Sequence, residues 1–199
     1  MVTILKPRLA VCAVLLCGLV APVTPAARVA PVAPDQVRDV DGVARDLFHP
    51  AGKGGVLLFV SSDCPISNGY APEIQRICTD ARAKGAGCTL VYEDVTIDAA
   101  AVRAHRSEYR YADIPAVIDT DRAIATKAQA TVTPEAVVIT AAGTTAYRGR
   151  IDNQYIELGK QRRVVTEHDL RDAITAVVAG KPIAHAETEA FGCFIVKGP

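Results

Sequence analysis

Residues 56–78 read VLLFVSSDCPISNGYAPEIQRIC, and this stretch decides the fold. Residues 56–60 form a continuous apolar run. A short run of valine, leucine and phenylalanine is the pattern of a strand covered on both faces. Cys64 follows the run, and Pro65 follows Cys64 at once. Proline suits the first position of a helix, where its missing N–H would have no intrahelical partner anyway. Ile74, Ile77 and Ala81 then recur on one helical face, so the sequence predicts a helix over 65–84, kinked at Pro72. The stretch therefore sets a thiol at a strand-to-helix junction. Unpaired amide groups at a helix start favour negative charge, and a thiol is a nucleophile only as its thiolate. Asp63 opposes that charge unless its carboxylate points away. A dithiol site would carry a second cysteine three positions on, but Ser67 stands there. The plain alternative is that Cys64 is a small buried residue at a strand end.

The surrounding chain supplies the rest of an α/β domain. Asp41-Gly42 reads as the turn of a hairpin over 37–47. Further strands are expected at 88–95, 116–118, 136–140 and 144–148, and helices at 99–109 and 123–130. Thr166 and Asp169 make a capping-box-like start to a last helix, with an apolar stripe of Leu170, Ile174, Val177 and Val178. Gly180 and Pro182 stop it. Strands alternating with helices, then an antiparallel pair and a closing helix, describe a three-layer sandwich around a central mixed β-sheet.

The first 27 residues are different in kind. Lys6 and Arg8 precede an uncharged apolar run of 12 residues at 9–20, and small residues and prolines follow. That is the plan of a secretory signal peptide, and the run is too short for a comfortable bilayer span. The expected organisation is a leader at 1–27, a proline-rich linker at 28–35, one domain at 36–182 and a tail at 183–199 carrying Cys193. Export to a periplasmic or extracellular compartment, with no membrane span after the leader is removed, follows from that reading. Cys12 and Cys17 would leave with the leader. Cys64, Cys78, Cys88 and Cys193 would remain where disulfides form.

Composition removes several functions. The 22 basic and 22 acidic residues cancel, so there is no nucleic-acid footprint. Tryptophan is absent. The cysteine and histidine spacings suit no structural zinc site, and no metal is expected. Gly52-Lys53-Gly54-Gly55 lacks the Ser or Thr that a phosphate loop carries after its lysine. The polar segment 148–155, RGRIDNQY, follows a strand and reads as a surface turn, with a part in shaping substrate access as the alternative.

TVTPEAVVI at 131–139 sets Thr133-Pro134 directly before a strand. Strand-Cys-Pro-helix and Thr-Pro-strand, in that order, resemble the thioredoxin-like superfamily. More closely, they are similar to its exported thiol-disulfide oxidoreductases and the peroxiredoxin-related redoxin (AhpC/TSA-like) proteins. The likeness covers about 36–180. Residues 39–42 look like the family's N-terminal hairpin, Pro72 like its helix-kinking proline, and AVVITAAGTTAYRGRID at 136–152 like the strand-turn-strand after its cis-proline. The resemblance implies Cys64 as the attacking cysteine and Pro134 as the cis-proline that helps hold an extended substrate backbone. Pro65, Ser67, Thr133 and Arg150 are implied to surround the substrate, and no cofactor is implied. Two departures stand out. Ser67 fills the place of the second cysteine. Against the peroxidase branch, Ser61 fits but Leu57 stands where a proline belongs, and Glu135 where an arginine is expected.

The resolving sulfur must then lie elsewhere. Fourteen residues along one helix put Cys78 about 21 Å from Cys64, against the 7 Å that a disulfide allows between alpha carbons. Cys78 and Cys88 are closer candidates for a structural bridge, with two buried free thiols as the alternative. Cys193, on a tail read as mobile, is the candidate resolving cysteine, and residues 194–196 are a candidate docking strand for a partner. The main expectation is a thiol-disulfide exchange protein acting on a protein or small-molecule thiol or disulfide, with an external reductant. A thiol peroxidase and a non-enzymatic binding module are the alternatives.

Overall fold

The computed structural model describes residues 36–111, 113–157 and 159–196, and Val2 besides. Apart from Val2, the expected leader and linker lie outside the described residues, as do Cys12 and Cys17.

The described chain opens with a hairpin, β1 (Gln36–Arg38) and β2 (Ala44–Asp46). Asp39 closes its turn by accepting the amides of Asp41 and Val43 at 3.0 and 2.8 Å. Strand β3 (Gly54–Val60) follows, then helix α1 (Pro65–Gly69), helix α2 (Ala71–Ala83) and strand β4 (Ala86–Tyr92). Next come α3 (Ala99–Glu108), β5 (Ala116–Ile118) and α4 (Ala123–Ala128). Strands β6 (Val132–Thr133), β7 (Glu135–Thr140) and β8 (Thr145–Gly149) lead to a small ribbon of β9 (Tyr155–Glu157) and β10 (Lys160–Gln161). Helix α5 (Asp169–Val178) and strand β11 (Cys193–Phe194) complete it.

The central sheet runs β5-β4-β3-β7-β8. β3 pairs parallel with β4 and antiparallel with β7, so the sheet is mixed. With β3 at its centre, all seven of its residues are buried. Val56, Leu58 and Val60 face a layer built from α2, α5 and Val102 of α3, while Leu57 and Phe59 face α4 with Leu47 and Phe48. This two-sided burial is why the run lacks the alternation of a half-exposed strand.

Several boundaries differ from the sequence reading. The expected helix over 65–84 is two helices meeting at Tyr70. Pro72 has no N–H for the i−4 carbonyl, and the Tyr70 phenol donates to buried Asp152 at 2.7 Å, which fixes the break. The strand expected at 88–95 starts earlier and ends at Tyr92. The last helix has no capping box. His168 is its N-cap without a side-chain bond, and Thr166 instead accepts from Asn153 Nδ2 at 2.8 Å. The segment 148–155 is not a surface turn: Ile151, Asp152, Asn153 and Tyr155 are all buried. The tail, read as mobile, is held in two places. Residues 186–188 run along β8, and β11 pairs antiparallel with β6.

A disulfide joins Cys78 of α2 to Cys88 of β4, with alpha carbons 5.6 Å apart. Cys64 and Cys193 are free.

Candidate functional site

The turn after β3 is fastened from below. Ser61 Oγ donates to Asp94 Oδ1 at 2.7 Å, and Ser62 N donates to Asp94 Oδ2 at 3.0 Å. Asn68 Nδ2 donates to Ser62 O at 2.8 Å, while Asn68 Oδ1 lies 3.0 Å from His105 Nε2. His105 Nδ1 in turn meets the Tyr92 hydroxyl at 2.8 Å. Burial holds the His105 pKa below its ordinary value. A neutral ring with its proton on Nε2 then satisfies both contacts, an assignment made from the hydrogen-bond network.

This turn delivers Cys64 to the N-cap of α1, with φ −85° and ψ 112°. The residue is only 1% exposed. Its Sγ lies 3.2 Å from the Thr133 carbonyl oxygen, to which the neutral thiol donates. The Thr133–Pro134 peptide is cis. Two sequence-predicted residues from different parts of the chain, Cys64 and Pro134, thus share one site.

Cys193 joins them. It lies opposite Thr133 in the β11–β6 ladder, and Thr133 Oγ1 donates to its carbonyl at 3.4 Å. The two free sulfurs influence each other's titration. Burial is the largest influence on Cys64 and raises its pKa. Donors outweigh it: the Cys193 thiol, the Ser67 and Cys193 amides and the Ser67 hydroxyl together bring the Cys64 thiol below its ordinary value. Cys193 moves the other way, to about 11, through burial first and then its bond to Cys64 and the Cys64 charge. The two shifts make Cys64 the more acidic sulfur of the pair.

Ser67 is buried, and its Oγ has no oxygen or nitrogen partner among the described residues. It fills the place of a second cysteine with a buried hydroxyl. The helix dipole matters less than the sequence suggested, because the break at Tyr70 leaves α1 only five residues long. Asp63 is exposed, and Pro65 is exposed beside it.

Arg150 is occupied elsewhere. Its Nε donates to Asp169 Oδ2 at 2.7 Å, and its guanidinium also pairs with Glu167. Arg148 pairs with Glu187 of the tail. Glu135 accepts the Thr131 amide at 2.7 Å and so braces the loop ahead of Pro134.

Sequence reasoning missed Tyr155. Its ring lies 5.0 Å from that of Tyr70, and burial followed by the Cys64 charge raises its pKa. Both influences favour the neutral phenol. The available signal was Ile151 and Tyr155, two large apolar bodies inside a polar run. Among the described residues no cluster of ligands suits a metal ion, and no helix is long and apolar enough to cross a membrane.

No protein-family profile matches this chain, and no curated protein sequence does. Solved structures do match in shape. An uncharacterized conserved protein from Geobacillus kaustophilus is similar over 84% of this chain and 90% of its own, at 21% identity and TM-score 0.71. A hypothetical protein from Sinorhizobium meliloti is similar over 82% and 90%, at 22% identity and TM-score 0.69. The exposed lipoprotein thioredoxin of Streptococcus pneumoniae is similar over 73% and 97%, at 18% identity and TM-score 0.53. The chain has the thioredoxin-like fold. On this thioredoxin-like frame, the strand-to-helix junction carries one cysteine, and a sulfur from the C-terminal tail lies next to it.

Proposed function

We propose that the protein is an exported thiol-disulfide exchange protein in which Cys64 attacks and Cys193 resolves. The observation that supports this most is the pairing of two free sulfurs against the cis Thr133–Pro134 peptide, with opposed pKa shifts. The Cys64 thiolate attacks one sulfur of a partner disulfide, R–S–S–R′. The Cys64–S–S–R mixed disulfide forms, and R′–S⁻ leaves with the electron pair of the broken bond. Cys64 then carries no charge. Two of the three influences that raise Cys193, its bond to the Cys64 sulfur and the Cys64 charge, disappear at that moment. Cys193 passes its proton to the departing thiolate or to water and attacks Cys64 Sγ. R–S⁻ is released, and a Cys64–Cys193 disulfide is left. The partner has gained two electrons, and an external dithiol restores the pair. Run in reverse, the same steps hand a disulfide to a dithiol partner.

Pro134 and Thr133 form the wall for the partner's backbone, Ser67 supports the thiolate, and Pro65 lies exposed beside the sulfur. Arg150, tied to Asp169 and Glu167, acts on this site only by holding the segment that carries Tyr155. Export through a leader at 1–27 fits the Cys78–Cys88 disulfide, since such bridges persist in oxidising compartments. A similar fold serves as an exposed lipoprotein in Streptococcus pneumoniae.

The test is trapping. A peptide disulfide is incubated with wild-type protein, Cys193→Ser and Cys64→Ser, and the products are mapped by mass spectrometry. Cys193→Ser should accumulate the mixed disulfide at Cys64, wild type should release peptide thiol, and Cys64→Ser should do neither. Full peptide release by Cys64→Ser would overturn the assignment.

A further inference from the structure

The edge of β6 that a partner's strand would use is already filled. Cys193 stands opposite Thr133 and Phe194 opposite Val132, and Ile195 N donates to Thr131 O at 2.9 Å. Gly192 lies so close to β6 that a Cβ there would overlap the Thr133 carbonyl oxygen and crowd Pro134 N. Beyond the pairing, Arg122 Nε donates to Val196 O at 3.2 Å, and Arg122 is itself fixed by buried Glu93 at 2.9 Å. Backbone groups on one strand edge pair with one neighbour at a time. A partner strand and this tail are therefore mutually exclusive at residues 131–133.

The tail is built in two sections of different character. The first is tied to β8 by hydrogen bonds, although Ala186 and Glu187 are exposed. Arg148 N donates to Ala186 O at 2.9 Å, Thr188 N to Arg148 O at 3.1 Å, and the Thr188 and Tyr147 hydroxyls meet at 2.7 Å. Gly149 leaves the space that Thr188 occupies, since a Cβ there would overlap the threonine. The second section has a strand of only two residues, and Phe194 and Val196 are 81% and 71% exposed. Short pairings of this kind open at a small fraction of the cost of global unfolding.

We propose that residues 191–196 are an internal competitor for the partner's strand. Docked on β6, they cover Cys64. Released at 189–190 while 186–188 stay anchored, they open it, and the Cys64–Cys193 disulfide formed in each cycle fixes them closed until an external dithiol reduces it. This rests on the exchange reading of Cys64 and adds a regulated entrance to it.

The experiment labels Cys64 with a bulky polyethylene glycol maleimide and, separately, with small iodoacetamide. It reads the Cys64 peptide by mass spectrometry in a Cys193→Ser background. Gly192→Val blocks docking by overlap at Thr133. A second variant, ending at Thr188, removes the docked section without adding any side chain. Bulky labelling should rise about tenfold or more in both, with a smaller rise for iodoacetamide. Unchanged bulky labelling in both variants overturns the competitor. The same proteins are then given a peptide disulfide. Faster labelling without a mixed disulfide would leave the competitor standing and remove the exchange reading. A mixed disulfide formed at the background rate, with labelling unchanged, would do the opposite.

Discussion

At the scale of single residues, the site turns on how a buried sulfur becomes an anion. Desolvation alone would hold Cys64 neutral, and the donors that reverse this can be removed one at a time. Ser67 is the simplest to remove, because its buried hydroxyl makes no hydrogen bond elsewhere among the described residues. Ser67→Ala should raise the midpoint of the alkylation–pH profile of Cys64. At pH 7 its alkylation rate should fall about three- to tenfold, a hydrogen bond to a charged atom being partly offset by the greater intrinsic reactivity of a more basic thiolate. The profile should keep a single midpoint, measured with iodoacetamide between pH 5 and 10. A midpoint that stays in place would show that Ser67 only fills space. The sequence displayed Ser67 as a missing cysteine. The residues that meet Cys64 and Cys193 from elsewhere lie far off in sequence, Thr133 being 66 positions from Ser67 and Cys193 126, which no local pattern contains.

At the scale of elements, legibility followed the range of the forces. β3 was readable because burial on both faces demands an unbroken apolar run, and 56–60 is one. Pro72 marked a disturbance in the helix, but the break falls at Tyr70, whose partner Asp152 lies 82 positions on. The segment 148–155 read as a turn because its polar residues suggested water. Instead, Asn153 Oδ1 accepts the amides of Thr166 and Glu167 at 3.0 and 3.3 Å, so its polarity is satisfied internally. β11 and β6 pair over two residues each, too short for any periodicity to register. The Cys78–Cys88 bridge belongs to this scale, since it staples α2 to β4 across 10 positions. A loop of that length corresponds to about 2–3 kcal/mol in the chain-entropy account. The double variant Cys78→Ala with Cys88→Ala should lose about that much in urea unfolding. Its Cys64 alkylation midpoint should not move, because Cys88 pairs in register with Val56, at the opposite end of β3 from Cys64. A shifted midpoint would mean that the staple also shapes the site.

At the scale of the whole molecule, the two free sulfurs connect an early strand to the end of the chain. A Cys64–Cys193 bond closes a loop of 129 residues, for which chain entropy alone would contribute up to about 5 kcal/mol. Linkage makes this reciprocal: whatever the bond adds to the fold, the fold adds to the bond's resistance to reduction. The reduced state has a counterweight of its own. A thiol whose folded pKa is depressed stabilises the fold at pH values above its unfolded pKa, and that contribution is lost as pH falls through the folded pKa. Cys64 therefore favours the reduced protein at mildly alkaline pH and contributes nothing of this kind in acid. The stability difference between oxidised and reduced protein should be largest near pH 5. It should narrow as pH rises through the folded pKa of Cys64 toward the ordinary thiol value. Cys193, raised to about 11, opposes this only where unfolded thiols ionise, at about pH 8.5 and above, so the comparison belongs below about pH 8. Urea midpoints of both redox forms at pH 5 and pH 7.5 measure the narrowing directly. A gap that is constant or widens would mean that Cys64 is not held as a thiolate in the native protein, and the nucleophile would have to be sought elsewhere.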